Sequence, residues 1–336
     1  MKIGPHDSDK RVLVIAEIGN NHEGSFSAAE EMVGRAAEAG AHIVKFQTFR
    51  TEHFVSPVQT ERFQRMKRFE LTPEQFTRLA AQARGLGLGF VSSALDLESV
   101  KVLDGIVDAL KIASGDNTFY PLIESMAGTG KPIIMSTGLA DLSQIDFAKS
   151  LIERVWRDAA IKQSLALLHC VTAYPVPAAH ANLAAVRTLA RRYDCTVGYS
   201  DHTLGTEACV LAVAAGARII EKHFTLDNNF SDFRDHQLSA DPKALKRMIE
   251  AIAEVEVLLG SGEKVLQPEE TASVISIRRS IAAARDLSTG HVLGPGDIVW
   301  LRPGDGIPPG EERRVLGRRL ATDVAAGTIL RADHVR

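Results

Sequence analysis

The stretch VLVIAEIGNNHEGS at residues 12–25 decides the fold. Its first seven residues form a short apolar run rich in Val and Ile. The run breaks at a polar turn, and AAEEMVGRAAEAG (28–40) then spaces its apolar residues as a helix does and ends on Gly. That is one strand and one amphipathic helix, closed by the residue that suits a helix C-terminus. The unit recurs. Further strands read HIVKFQ (42–47), LGFVSS (88–93), ALKIAS (109–114), PIIMST (132–137), LALLHC (165–170), CTVGYS (195–200) and RIIEKH (218–223). Each precedes a helical pattern, as TEACVLAVAAGA (206–217) does after the seventh. Eight consecutive βα units predict an α/β fold of the closed (β/α)8 TIM-barrel type rather than an open doubly wound sheet. No GxGxxG follows the first strand, which also argues against a dinucleotide fold.

The alternation stops after a helix at about 241–259, and GSGEKVLQPEET (260–271) is polar and bears Gly and Pro. The expected division is a barrel over 1–265, a linker over 266–277 and a small, mostly β module over 278–336. The module carries a weak repeat: DLSTGHVLGPGDI from Asp286 is echoed by DVAAGTILRADHV from Asp323. A duplicated strand-and-turn unit predicts local pseudo-twofold symmetry.

Composition narrows the partners. The 336 residues are 45% hydrophobic, enough for a sizeable core, and 39 Lys+Arg against 42 Asp+Glu leave a net charge of −3. Neither nucleic acid nor an anionic membrane surface is expected of such a balance. No apolar run reaches the roughly 18 residues of a membrane span, and MKIGPHDSDKR lacks a signal-peptide core, so a cytoplasmic location is expected. Cys170, Cys195 and Cys209 lie singly in apolar segments, without CxxC spacing, and read as buried small hydrophobes.

In an eight-stranded α/β barrel the chemistry sits at the C-terminal strand ends. Polar residues collect there: Glu17, Asn20, Asn21 and His22; Lys45 and Gln47; Ser92 and Ser93; Lys111 and Ser114; Ser136 and Thr137; His169 and Tyr174; Ser200, Asp201 and His202; Glu221, Lys222 and His223. One lysine near a strand end is ordinarily a snorkelling or paired side chain. Two, on the second and fourth strands and flanked by apolar residues, are costly to bury unless an anion compensates them. The SGD and STG turns at 114–116 and 136–138 add hydroxyls and backbone N–H groups of the kind that cradle phosphate or carboxylate. His202 and His223 end adjacent strands, where their rings can converge. With Glu17 across the mouth and Asp235 downstream, they resemble an N/O divalent-metal site suited to Mn2+ or Mg2+ rather than structural zinc. His169, inside LALLHC, reads as core. Beyond the barrel, WLRPGDGIPPG (300–310) sets Arg302 on a stiff loop, either as a solvated surface residue or as a ligand contact.

VIAEIGNNHEGS, AHIVKFQTF, LKIASGD, PIIMSTG, LLHCVTAYPVP, VGYSDHT and IEKHFT, in this order and spacing, resemble the sialic acid synthase family. The tail resembles the SAF, or antifreeze-like, domain that follows the barrel in those enzymes. The resemblance implies condensation of phosphoenolpyruvate with an amino-sugar aldehyde, N-acetylmannosamine or a 2,4-diacetamido hexose, to give a nine-carbon nonulosonic acid with C–O cleavage and phosphate release. It implies Glu17 as the catalytic carboxylate, with Lys45, Lys111 and Asp235 also in the catalytic set. Phosphoenolpyruvate contacts fall on Lys45, Gln47, Ser93, Lys111, Ser114, Ser136, Thr172 and Ser200, and sugar contacts on Tyr174, Asp235 and Arg302. The implied metal ligands are His202 and His223, with Mn2+ first and Mg2+ or Co2+ as alternatives. The implied assembly is a homodimer in which the SAF domain of one subunit caps the barrel of the other. Three loops depart from the neuraminate pattern: HCVTAYP has Thr172 in place of Asn, the third strand ends SSAL, and DNNFSDFRDHQLS (227–239) is rich in charge. All three bear on the sugar. A related synthase using a phosphorylated sugar would draw on RFQRMKR (62–68) and Arg234. A non-catalytic glycan- or ice-binding module is the remaining alternative.

Overall fold

A computed structural model describes residues 1–336. Eight parallel strands close into a barrel in chain order: β3 (Leu13–Gly19), β4 (Ile43–Thr48), β5 (Gly89–Ala94), β6 (Ala109–Ile112), β7 (Ile133–Ser136), β8 (Leu165–Cys170), β9 (Thr196–Asp201) and β10 (Ile219–His223), with β10 pairing back onto β3. Every residue of β3 is buried, as expected of a parallel sheet covered on both faces. Alternate residues separate into two cores. Val14, Ala16, Val44 and Phe90 face the helices, while Leu13, Ile15, Ile43, Val91, Ala109, Ile134, Ala166, Leu168 and Ile219 fill the barrel interior. Met1 and Ile3, on a hairpin of β1 (Lys2–Ile3) and β2 (His6–Asp7), join the inner cluster.

The covering helices start where side chains can cap them. Ser25 accepts from the Ala28 amide at α1 (Phe26–Glu38), and Thr72 and Asp141 form capping boxes at α4 (Pro73–Gly85) and α7 (Leu142–Asp158). The other principal helices are α5 (Leu97–Asp104), α6 (Tyr120–Gly128), α8 (Ala184–Arg192), α9 (Glu207–Ala214) and α11 (Pro242–Leu259). The periodicity gave each unit one helix, but two more precede α4: α2 (Thr51–Phe54) and α3 (Thr60–Phe69), the latter carrying the basic run 62–68. They pack through a satellite core of Phe49, Val55, Met66, Phe69 and Leu95. A short α10 (Asp235–Leu238) lies between β10 and α11. No helix is long and apolar enough to cross a membrane.

The chain divides into two compact units between Gly260 and Ser261. The segment expected as a linker carries a 3-10 turn (Pro268–Glu270) and α12 (Ser273–Ile277). In the second unit β11 (Ser280–Ala283) pairs antiparallel with β12 (Ile298–Leu301). The duplication is visible in its hydrogen bonds. Leu287 and Val324 exchange both backbone bonds at 2.9 Å; Asp286 accepts from the Ala326 amide at 2.7 Å, and Asp323 accepts from the Thr289 amide at 2.7 Å. Each half therefore caps the turn of the other. Those bonds hold the Asp323 carboxyl below its usual pKa, so its contribution is present at neutral pH and fades as pH falls through that lowered value. Asp323→Ala is expected to speed exchange of the Thr289 amide several-fold at pH 7, with barrel amides unchanged and the gap closing in acid.

Candidate active site

Strand alternation decides which polar side chains enter the barrel. Inward positions above the apolar layer are Glu17 on β3, Lys45 and Gln47 on β4, Ser93 on β5, Lys111 on β6, Ser136 on β7, Cys170 on β8, Ser200 on β9, and Glu221 and His223 on β10. The register sets Glu17 beside Lys45 and His223, Ser93 beside Lys111, and Ser200 beside Glu221.

These residues form one charged layer. Lys45 Nζ is 3.0 Å from Glu17 Oε1 and 3.4 Å from Glu221 Oε1, and it donates to Ser93 Oγ at 3.4 Å. Ser200 Oγ donates to Glu221 Oε1 at 2.9 Å, and Gln47 Nε2 to Glu17 Oε1 at 3.3 Å. Two buried carboxylates thus share one ammonium. Burial raises the Glu17 pKa, with Lys45 opposing and Glu221 adding. Burial also acts on Glu221, but Lys45 and then Lys111 outweigh it and hold that carboxyl low. Glu17 is the better proton carrier of the two. Glu17 Oε2 and Glu221 Oε2 are buried without partners.

Lys111 differs from Lys45, having no carboxylate within ion-pair distance; its Nζ donates to Ser136 Oγ at 2.6 Å and to the Ile112 carbonyl at 2.8 Å. Burial brings its pKa down to about 8, against the pull of Glu221. Around it the turn after β6 and the turn after β7 interlock. The Gly138 amide donates to Ser114 Oγ at 3.2 Å, Asn117 Nδ2 donates to the Gly138 carbonyl at 2.7 Å, and Thr172 Oγ1 is buried without a partner. A Cβ on Gly138 would stand 2.3 Å from Thr172 Oγ1 and 2.7 Å from Ser114 Oγ, so the position needs glycine for space. An ammonium, two hydroxyls and a third, buried hydroxyl without a partner have the chemistry of an anion cradle.

His202 and His223 bring their ring centroids within 5.3 Å, and Tyr174 lies 4.2 Å from the His202 ring. His202 Nδ1 donates to the Val171 carbonyl at 2.9 Å, which leaves Nε2 open. His223 Nδ1 is buried without a partner, and burial, then the charge of His202, keep that imidazole neutral. Two imidazoles with an open face, above carboxylate oxygens that lack partners, suit a divalent cation. No three His, Cys, Asp or Glu side chains converge on one point, so Glu17 and Asp235 do not complete a set with the two imidazoles as the sequence led one to expect. Asp235, its pKa raised by burial against Arg234, borders a cavity of about 540 Å³ whose lining includes Asn20, Gln47, Arg62, Tyr174 and His223. Arg302 is exposed, on the second unit.

Several sequence expectations are corrected. Ser92, Asp201 and Lys222 sit at strand ends but face the helices, as does His169, in keeping with its reading as core. Lys222 Nζ meets Asp201 Oδ2 at 2.6 Å in a buried pair, and His169 bonds the Ala181 carbonyl, as a core histidine does. Cys195 is only half-buried. Cys170 is buried yet lies inside the barrel, its Sγ 3.7 Å from His202 Nδ1. Glu221 stood among the strand-end residues without an assigned role; its place two residues before His223 marks it as inward. Asn117 was missed, and only its position directly after the SGD turn could have signalled it.

Two family models match this chain: the NeuB family over residues 32–264 and the SAF domain over 278–336. An uncharacterised protein of Methanocaldococcus jannaschii is 43% identical, across 96% of this chain and 94% of its own length. The N,N'-diacetyllegionaminic acid synthase of Legionella pneumophila is 37% identical, across 99% and 97%. Among solved structures, the N-acetylneuraminic acid synthetase of Leptospira borgpetersenii superposes with a TM-score of 0.76 at 33% identity, across 82% of this chain and 94% of that one. With residues 32–264 matched by the first model and 278–336 by the second, the chain belongs to the NeuB family and carries a SAF domain.

Proposed function

We propose that this chain is a nonulosonic acid synthase, a transferase that condenses phosphoenolpyruvate with an N-acyl amino-sugar aldehyde and releases phosphate. The observation that carries the reading is the presence of Lys45 and Lys111 in one buried layer, the first balanced by carboxylates and the second with only a hydroxyl and a carbonyl as partners. Lys111, Ser114, Ser136 and Thr172 hold the phosphate; Lys45, Ser93 and Ser200 orient the enol and its carboxylate. C3 of the enol attacks the aldehyde carbon, water adds at C2, and phosphate leaves with the bridging oxygen. Glu17, one oxygen unpaired, moves a proton of that water or of the nascent hydroxyl. Mn2+ on His202 and His223, with Mg2+ or Co2+ as substitutes, would supply Lewis-acid polarisation of the aldehyde oxygen. Tyr174 and Asp235 face the sugar. The 37% identity to the Legionella enzyme favours a 2,4-diacetamido hexose over N-acetylmannosamine. Homodimer formation and an acyl-amino contact by Arg302 belong to the same proposal.

Incubation with phosphoenolpyruvate, each of the two sugars and Mn2+ is expected to release phosphate, to stop with chelator and to recover with excess Mn2+. Silence with both sugars overturns the reading. A second reading, a phosphorylated acceptor, is favoured by Arg62 and Arg65, which line the cavity with no carboxylate in ion-pair distance. A higher kcat/KM for the 6-phosphorylated than for the free sugar would select it.

A further inference from the structure

The segment joining β10 to α11 (224–241) carries Asp232, Phe233, Arg234 and Asp235 to the cavity, and it is built around an imidazole that does not reach the cavity. His236 has 0% of its surface exposed. Its Nε2 stands 3.1 Å from Glu23 Oε1, its Nδ1 stands 2.7 Å from Thr225 Oγ1, and its carbonyl accepts from Asn228 Nδ2 at 2.7 Å. A carboxylate only accepts, so Nε2 carries the proton toward Glu23. The same Glu23 oxygen accepts from Ser231 Oγ. One carboxylate on the turn after β3 therefore ties the segment at residues 231 and 236, on either side of the four residues that face the cavity. Glu23 holds φ +50°, a left-handed conformation that non-glycine residues adopt at a cost. Behind it Asn21 Nδ2 donates to the Phe224 carbonyl at 2.8 Å and to Ser239 Oγ at 3.0 Å, and Ser239 Oγ donates to the Asp235 carbonyl at 2.6 Å.

We propose that Glu23 and His236 form the positioning pair of the acceptor-sugar site, fixing residues 232–235 against the cavity without touching substrate. The inference rests on the synthase reading above. It separates the two ends of the reaction, because the anion cradle is built at the C-terminal ends of β6, β7 and β8, with no member in this network. His236→Ala is expected to raise the KM for the 2,4-diacetamido hexose about 30-fold, in line with the cost of misplacing a substrate-orienting group, while the KM for phosphoenolpyruvate stays within about twofold. His236→Gln restores an N–H toward Glu23 and is expected to recover the acceptor KM to within about threefold of the parent. Hydrogen exchange in the full chain without substrate supplies a readout independent of the reaction: amides 232–235 exchange faster in His236→Ala and as in the parent in His236→Gln. The proposal is overturned if both KM values move together, if neither moves, or if the glutamine variant is as impaired as alanine. Should His236→Ala fail to fold, Ser231→Ala cuts one of the two ties, and an unchanged acceptor KM with unchanged exchange at 232–235 overturns the proposal equally. Failure of the parent to consume phosphoenolpyruvate with any sugar would count against the synthase reading, and the exchange result would still stand or fall alone.

Discussion

Replacing Lys111 with methionine is expected to reduce kcat/KM for phosphoenolpyruvate by roughly 30- to 4,000-fold without lowering the thermal midpoint. The loss follows from removing a buried ammonium that meets an anion, an interaction of about 2–5 kcal/mol, where each 1.4 kcal/mol is a factor of ten. Stability follows the opposite logic. The amine is almost fully buried with only a hydroxyl and a carbonyl as partners, and its pKa of about 8 lies below the ordinary lysine value because burial penalises the charge. Below pH 8 the folded chain carries that penalty. It is relieved as pH rises from about 8 towards the unfolded value, so methionine, of similar length and uncharged, is expected to leave the midpoint at pH 7 level or a few degrees higher. The same titration predicts that the parent's KM for phosphoenolpyruvate rises above pH 8 as the amine loses its proton. An early-melting variant, or one that keeps its phosphoenolpyruvate affinity, would show that Lys111 is a structural residue.

Gly138→Ala is expected to have the next largest effect, a rise of about 100-fold in the KM for phosphoenolpyruvate with the acceptor KM unchanged. The added methyl would come within 2.3 Å of Thr172 Oγ1 and 2.7 Å of Ser114 Oγ, distances that no Cβ contact tolerates. Both hydroxyls would have to swing away, and they are the groups offered to the anion. The backbone is not the obstacle, since Gly138 is absent from the left-handed positions of this chain. Titration with inorganic phosphate alone gives a check that needs no turnover: the variant is expected to bind it more weakly than the parent. Equal affinity would move the anion site elsewhere.

The barrel was legible because a parallel sheet covered on both faces writes its strands as unbroken Val/Ile/Leu runs, and LALLHC (165–170) agrees with β8 residue for residue. Polar strand ends were equally plain. Polarity at a strand end does not reveal the direction of each side chain, which has a period of two and is readable only from a fixed point. His223 supplies one: it places Glu221 inward beside Lys45 and Lys222 outward against Asp201. Cys170 is buried, as its apolar flanks lead one to expect, but those flanks are the same on any buried strand and do not tell that its thiol points into the barrel. Helix α3 escaped because RFQRMKR has little apolar content of its own and is held by Met66 and Phe69 packing on a satellite core, and α2 because four residues are too few to show a period. No local signal tied Glu23 to His236, which lie more than two hundred residues apart.

The reciprocal caps of the second unit say something about its ancestry and its tolerance for change. Asp286 serves the turn of the later half and Asp323 the turn of the earlier one, while Leu287 and Val324 meet across the axis. Either half alone would present both a carboxylate and the turn that such a carboxylate caps. That is a self-complementary surface, the condition for an isologous dimer. The unit has the form of such a dimer joined end to end in one polypeptide. Insertions are then best tolerated in the connection between the halves, where neither cap is disturbed, and substitutions at one cap are best compensated at its symmetry mate.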